Sequence, residues 1–325
     1  MDPIEIEYEI DSDDKTKAFS IDVETLFATI PEDVYDPFST TNYSENKECK
    51  EFMKWTLENN IEIRHVRLLS NASGDRGIFA IEDIQDGDIL MNIPEPMIIT
   101  VEMGMETPIG RSVSMNESLF SNIKHVYLSL FLLYDKSNFN SLFHHYYRCL
   151  PHDLSFIPFN WTQEQVNLLE GSSVILENEE RRRMYTDDYS LLCQLDSTFK
   201  QFSLSIYIWS RLIVSSRNFG IHTPQRDSSC LVPLADMVNH SNNANCIWIY
   251  HPFSNIIKSS IYYSYGAKPN RRYFLNYGFT LINNISDDLY FNCVLHVVFC
   301  LPNEDENYEE KRDIMKAIPF CIYNI

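Results

Sequence analysis

A chain of 325 residues with 44% hydrophobic and 13% aromatic content can bury a sizeable core, which excludes a disordered polymer. Its formal charge of −20, from 26 Lys and Arg against 46 Asp and Glu, argues against direct nucleic-acid binding, which draws on clustered cations. Such a surface suits basic proteins or lysine-rich tails instead, and less so as salt rises.

The start, Met1-Asp2-Pro3-Ile4, lacks the basic segment and apolar core of a secretory signal. No apolar run approaches the roughly 20 residues that cross a bilayer, so no membrane partner is expected. Eight cysteines without a C-x-x-C pair read as reduced, mostly buried thiols, and the expected location is intracellular, cytoplasmic or nuclear. Residues 1–48, with Asp11-Ser12-Asp13-Asp14, read as an acidic, mobile leader. A short helix is predicted around Lys50–Leu57, with Phe52 and Trp55 on one side. In the segment 49–114, strands are predicted at Ile61–Leu69, Arg76–Ile81 and Asp88–Ile93, separated by turns at Asn71–Gly74 and Gln85–Asp88.

From 115 to 218 the period changes to that of helices: Leu119, Phe120, Ile123, Val126, Tyr127 and Leu130 share a face, and Thr162 to Gln165 fits a capping box. Ser197–Arg217 reads as one long apolar helix, with Gly220 as its stop. Short strands return in 219–285, and 286–325 opens a further helical region. The fold class is therefore α+β: a domain of short strands interrupted by an all-helical insertion.

Asp236-Met237-Val238-Asn239-His240, then Tyr265-Gly266, then Tyr277-Gly278-Phe279, is the constellation that bears on chemistry. Each piece alone is weak, since Asn239-His240-Ser241 is also a glycosylation acceptor pattern and Tyr-Gly pairs commonly end strands. Upstream stand Gly77-Ile78-Phe79-Ala80 and Gly87-Asp88-Ile89-Leu90; the insertion carries Tyr147, Leu150-Pro151 and Trp161, and Trp209 precedes Ser215-Ser216-Arg217. In this order and spacing the segments resemble the SET-domain protein methyltransferases, in the branch typified by the Rubisco large-subunit methyltransferase. That branch also includes a histidine methyltransferase of actin.

The resemblance implies a β-rich SET domain with a knot-like C-terminal segment, S-adenosylmethionine as cofactor, and a monomer acting on a protein substrate that presents a lysine. It implies that the loop Asp75, Arg76, Gly77 and Ile78 receives the methionine portion of the cofactor and that Arg217 pairs with its carboxylate. Asn239 would bond the amino-acid portion, and the His240 backbone would read the adenine edge. Tyr277 is the expected catalytic tyrosine, with Tyr265 and Phe279 walling the channel and Tyr265 a second catalytic candidate. No metal is expected, because His144, His145 and His152 lack carboxylate or thiolate partners at ligand spacing.

Two departures from the family pattern stand out. Asp75 occupies the place of the first glycine of a G-x-G loop, and 286–325 is shorter than the family's C-terminal helical domain. Three functions stay open at this point: lysine methyltransferase, histidine methyltransferase, and a catalytically silent interaction module on the same fold.

Overall fold

The computed structural model describes residues 34–35, 42–44, 46–71, 76–85, 87–222, 227–240, 248–251, 256–259, 264–282 and 284–286. Nearly all of the acidic leader, the residue Asp75 and the helical region expected after 286 lie outside the described residues.

Two short strands, β1 (Val34–Tyr35) and β2 (Asn42–Ser44), precede the helix α1 (Lys47–Glu58). That helix begins where the Asn46 side chain accepts a hydrogen bond from the Cys49 backbone N–H at 2.8 Å, satisfying one of the donors that a helix start leaves open. Phe52 and Trp55 stack at 5.4 Å and are buried, on the side predicted from their spacing. The strands that follow are β3 (Glu62–Ile63), β4 (Val66–Asn71), β5 (Arg76–Ala80), β6 (Met91–Pro94) and β7 (Ile99–Thr100).

Helices begin before the predicted 115, with α2 (Val101–Met105) and α3 (Gly110–Ser114), and continue with α4 (Ile123–Lys136), α5 (His144–Cys149), α6 (Gln163–Asn167), α7 (Ser173–Leu195) and α8 (Leu204–Arg217). Val126, Tyr127 and Leu130 of α4 are buried, as their helical spacing requires, but Leu119 is exposed and lies with Phe120 before the helix begins at Ile123. The capping box of α6 forms in both directions: Gln165 N–H donates to Thr162 Oγ1 at 3.3 Å and Thr162 N–H donates to Gln165 Oε1 at 2.9 Å. Ser197–Arg217 is not one helix. A 3-10 turn covers Ser197–Gln201, and α8 starts afresh after Ser203, whose hydroxyl accepts from the Ile206 N–H. Nor does Gly220 stop it. The chain turns extended at Asn218, whose side-chain amide donates back to the Val214 carbonyl at 3.0 Å, and Gly220 lies inside the next strand.

That strand is β8 (Asn218–His222), followed by β9 (Asp227–Leu231), β10 (Ile249–His251), β11 (Ile256–Ser259) and the helix α9 (Asn270–Tyr277). The strands form three small antiparallel sheets, ordered β1-β2-β4-β5, β10-β11-β6-β3 and β7-β9-β8. In the third sheet Leu231 faces both Ile99 and Asn218, so the two ends of the helical insertion are tied to one central strand. This closure fixes where α8 delivers Arg217 relative to the segment after β9.

Candidate active site

The site gathers from three parts. Strand β5 opens with Arg76-Gly77-Ile78, registered against Ser70, Leu69 and Leu68 of β4. A Cβ on Gly77 would fall 2.7 Å from Asn239 Nδ2, so the two segments meet only because that side chain is missing. The Asn239 amide in turn donates to the Arg76 carbonyl at 3.2 Å.

The second part is the turn that carries Asp236. Leu234, fully buried, holds φ 76 and ψ −48, a γ-turn-like conformation that a branched residue adopts only when its surroundings impose it. The turn drives Asp236 inward, where Oδ2 accepts from the Tyr146 hydroxyl at 2.9 Å and from Arg217 Nη1 at 3.1 Å. Arg217 Nη1 also donates to the Asp236 carbonyl at 2.9 Å. Burial pushes the Asp236 carboxyl up, while the Arg217 guanidinium and the Tyr146 hydroxyl oppose it. Two buried atoms of this pair, Asp236 Oδ1 and Arg217 Nε, have no hydrogen-bond partner among the described residues.

The third part is aromatic. His240 Nδ1 accepts from the Tyr265 N–H at 3.1 Å, and its ring packs on Tyr265, Tyr273 and Phe279 with centroids 5.2, 4.9 and 5.8 Å away. Tyr265 donates its hydroxyl to the Val238 carbonyl at 3.0 Å and lies 4.7 Å, ring to ring, from Tyr277. Tyr277 is the last residue of α9, which ends at Gly278 with φ 78; a Cβ there would meet the Phe156 carbonyl oxygen at 2.7 Å. The close approach fixes Tyr277 against the insertion.

The Tyr277 hydroxyl has no hydrogen-bond partner among the described residues. Burial pushes its phenol up to about 12, with Tyr273 adding and Arg272 opposing, so it stays protonated at neutral pH. Burial likewise pushes Tyr265 up, against Arg217.

Two clefts meet at these rings. One, of about 430 Å³, is lined by Arg76, Arg217, Asp236, Asn239, Tyr277 and Phe279 among others. The second, of about 730 Å³, runs along the insertion, and Ser216, Tyr265 and Tyr277 belong to both. The smaller cleft offers a guanidinium edge and an amide, backed by the buried Asp236 carboxylate with its spare oxygen, a set that fits a molecule bearing a carboxylate and an ammonium. The shared tyrosines stand where the two clefts adjoin.

Of the residues singled out from sequence, Arg76, Gly77, Arg217, Asn239, His240, Tyr265, Tyr277 and Phe279 converge here, while Ile78 is buried behind the strand start. Tyr146, Tyr273 and Ser216 carry no role in the sequence reading, yet the first anchors Asp236, the second stacks on His240, and the third lines both clefts. Tyr146 lies on α5, far along the chain, and no local pattern marks it. Among the described residues no group of three potential metal-ligating side chains occurs.

The SET domain family model matches residues 75–278, well over half of the chain. Human SET domain-containing protein 4 is 23% identical over 301 residues, covering 85% of this chain and 68% of that protein. Actin-histidine N-methyltransferase of Xenopus tropicalis is 24% identical over 260 residues, but the chain spans only 44% of its length. The mouse enzyme of that name is 22% identical, and the chain spans 43% of it. Among solved structures, a SET domain of LSMT bound to MeLysine and AdoHcy superposes with a TM-score of 0.67 at 20% identity, over 85% of this chain and 65% of that one. A Rubisco LSMT bound to AdoMet gives 0.66 at 21% identity, with the same coverage of each chain.

Proposed function

The chain belongs to the SET-domain family, and we propose on that premise that it transfers a methyl group from S-adenosylmethionine to a lysine side chain of a non-histone protein. The smaller cleft is the proposed cofactor site. Its fit rests on the partnerless Asp236 Oδ1 and Arg217 Nε, which suit the ammonium and carboxylate ends of an amino acid. Asn239, Gly77 and the Arg76 backbone close the same end, with the His240 backbone toward the adenine. Asp75, outside the described residues, is assigned to this loop by sequence alone. Bound there, S-adenosylmethionine supplies a methyl carbon on a sulfonium, the electrophile that a neutral amine attacks as the carbon–sulfur bond breaks.

The chain's own residues have two tasks in this reading: to orient the amine and to keep it unprotonated. Tyr265, Tyr277 and Phe279 form an aromatic passage that strips water from the lysine, and desolvation disfavours ammonium. The observation that carries the proposal is the Tyr277 hydroxyl, protonated and without a partner at the junction of the clefts. Its oxygen accepts an N–H from the incoming amine and turns the nitrogen lone pair toward the methyl carbon. Tyr265, with its hydroxyl held by Val238, is assigned to positioning.

A second reading, methylation of histidine, draws on the relatives named actin-histidine N-methyltransferase. The Tyr277 hydroxyl favours lysine, because an attacking imidazole nitrogen carries no N–H to donate to it. The test is labelled-methyl transfer into a cell lysate by the full chain and by Tyr277→Phe, with the modified residue identified by mass spectrometry. Label on lysine, falling at least about tenfold in Tyr277→Phe with cofactor binding kept, is expected. Unchanged turnover removes Tyr277 from the chemistry, and label on histidine overturns the lysine reading.

A further inference from the structure

The larger cleft differs in charge from the rest of this chain. Its lining includes four guanidinium or ammonium groups, on Arg181, Arg211, Lys268 and Arg272, and a single carboxylate, Glu177. Arg211 is neutralised by buried Asp188, and Glu177 is bridged to Arg271 at 2.7 Å. The other three cations meet no carboxylate among the described residues. Arg181 donates to the Leu275 carbonyl and the Asn276 side chain, and Lys268 donates to the Tyr265 carbonyl, all uncharged acceptors. Arg272 is exposed. Lys268 is half-buried and its ammonium is pushed down, first by burial and then by Arg272, as expected of two cations crowded without a counter-ion.

A chain of net charge −20 thus places, around the cleft that reaches Tyr277, three cations that meet no carboxylate among the described residues. Uncompensated like charges at a protein surface destabilise the fold, and an anion arriving there relieves that cost. We propose that this cleft holds the segment of the protein substrate flanking the target residue, and that this segment carries acidic side chains, with Arg272 and Lys268 as its specificity-determining contacts. The proposal rests on the methyltransferase reading above: with cofactor in the smaller cleft, the larger one is left to receive the protein. It also narrows the partner expected from net charge alone: the acidic surface as a whole favours basic proteins, whereas the cleft beside the chemistry selects an acidic stretch within them.

The test uses the full chain saturated with S-adenosylhomocysteine and fluorescent peptides that share one central lysine. Their flanks carry Asp and Glu, phosphoserine, Gln, or Lys and Arg. Binding is read by anisotropy at low and high salt. Acidic flanks are expected to bind about tenfold tighter than neutral ones at low salt, with the gap closing as salt rises. Arg272→Glu and Lys268→Glu are expected to reverse the order in favour of basic flanks. Tight binding confined to phosphoserine would assign the site to phosphate and overturn the carboxylate reading. Equal binding of acidic and neutral flanks, including no binding of either, or an unchanged order in the charge-reversed variants, would also overturn it. Anisotropy needs no methyl transfer, so acidic preference without labelled product would instead count against the methyltransferase reading.

Discussion

Arg211 and Arg217 lie on one helix, roughly a turn and a half apart, and each faces a buried aspartate. Around Arg211 the carboxylate is saturated. Asp188 accepts from the Ser121 N–H and hydroxyl as well as from the arginine, and Arg211 also bonds the Tyr207 hydroxyl and the Ser121 carbonyl. Its guanidinium sits 4.4 Å from the Tyr185 ring centroid, a further favourable contact for a desolvated cation. Only 2% of that side chain is exposed, against 18% for Arg217. At Arg217 the aspartate keeps one oxygen without a partner, and the arginine's bonds run through Nη1 alone. Both arginines keep a buried Nε without a partner among the described residues, so the difference lies in the carboxylates: that of Asp188 is saturated inside the insertion, while that of Asp236 is left half-used beside a cleft. The lesson is that burial of an ion pair says little about its role, whereas unused capacity on its carboxylate separates structure from binding.

The largest break in the comparison is expected at Arg211. Arg211→Met leaves Asp188 buried without its guanidinium and should lower unfolding free energy by about 3–5 kcal/mol in urea denaturation. Adding Asp188→Leu should recover much of that loss, because the uncompensated charge is then gone. An Arg211→Met protein as stable as the parent would remove the structural role.

A smaller effect is expected at Gly77. Gly77→Ala pushes Asn239 off the Arg76 carbonyl and should weaken S-adenosylmethionine binding by about tenfold, with a near-normal thermal midpoint. Equal affinity would show that the close approach of these segments does not shape the cofactor site.

The smallest effect follows from His125, which lines the larger cleft beside Arg211. Burial, then Arg211, Arg181 and Lys124, lower its pKa from 6.5 to about 4, opposed by a hydrogen bond to Asn218. A base held neutral in the folded state contributes stability present above pH 6.5 and lost as pH falls toward 4. Denaturation across that window should show the decline, and His125→Gln should flatten it. An unchanged slope in the variant would assign the decline to other groups.

Much of this was legible in the sequence where one element's own residues decide the outcome. The spacing of Phe52 and Trp55, the Thr162–Gln165 capping box and the apolar face of α4 are local signals, and local physics answers them. The boundary errors lie where capping competes with periodicity. Ser203 and Asn218 cap α8 at either end through side-chain hydrogen bonds, which an apolar count over Ser197–Arg217 does not register. In the site, Asn239, His240, Tyr265 and Tyr277 carried a motif signal. Tyr146 did not, because its bond to Asp236 exists only after the insertion folds back, and neither did Tyr273, whose part comes from packing on the sequence-distant His240. The charge of the larger cleft was hidden by the average, since a chain of −20 gives no hint that Arg181, Lys268 and Arg272 meet.

The most direct test of the contrast between the two arginines is calorimetric titration of S-adenosylmethionine into the full chain and into Arg217→Lys. Lysine keeps a cation beside Asp236 but lacks the second edge of the guanidinium fork. The expected result is cofactor binding by the parent and affinity at least about tenfold weaker in Arg217→Lys, with both proteins melting at similar temperatures. Equal affinity in the folded variant, or no binding by the parent, would contradict the assignment of Arg217 and its half-finished ion pair to cofactor recognition.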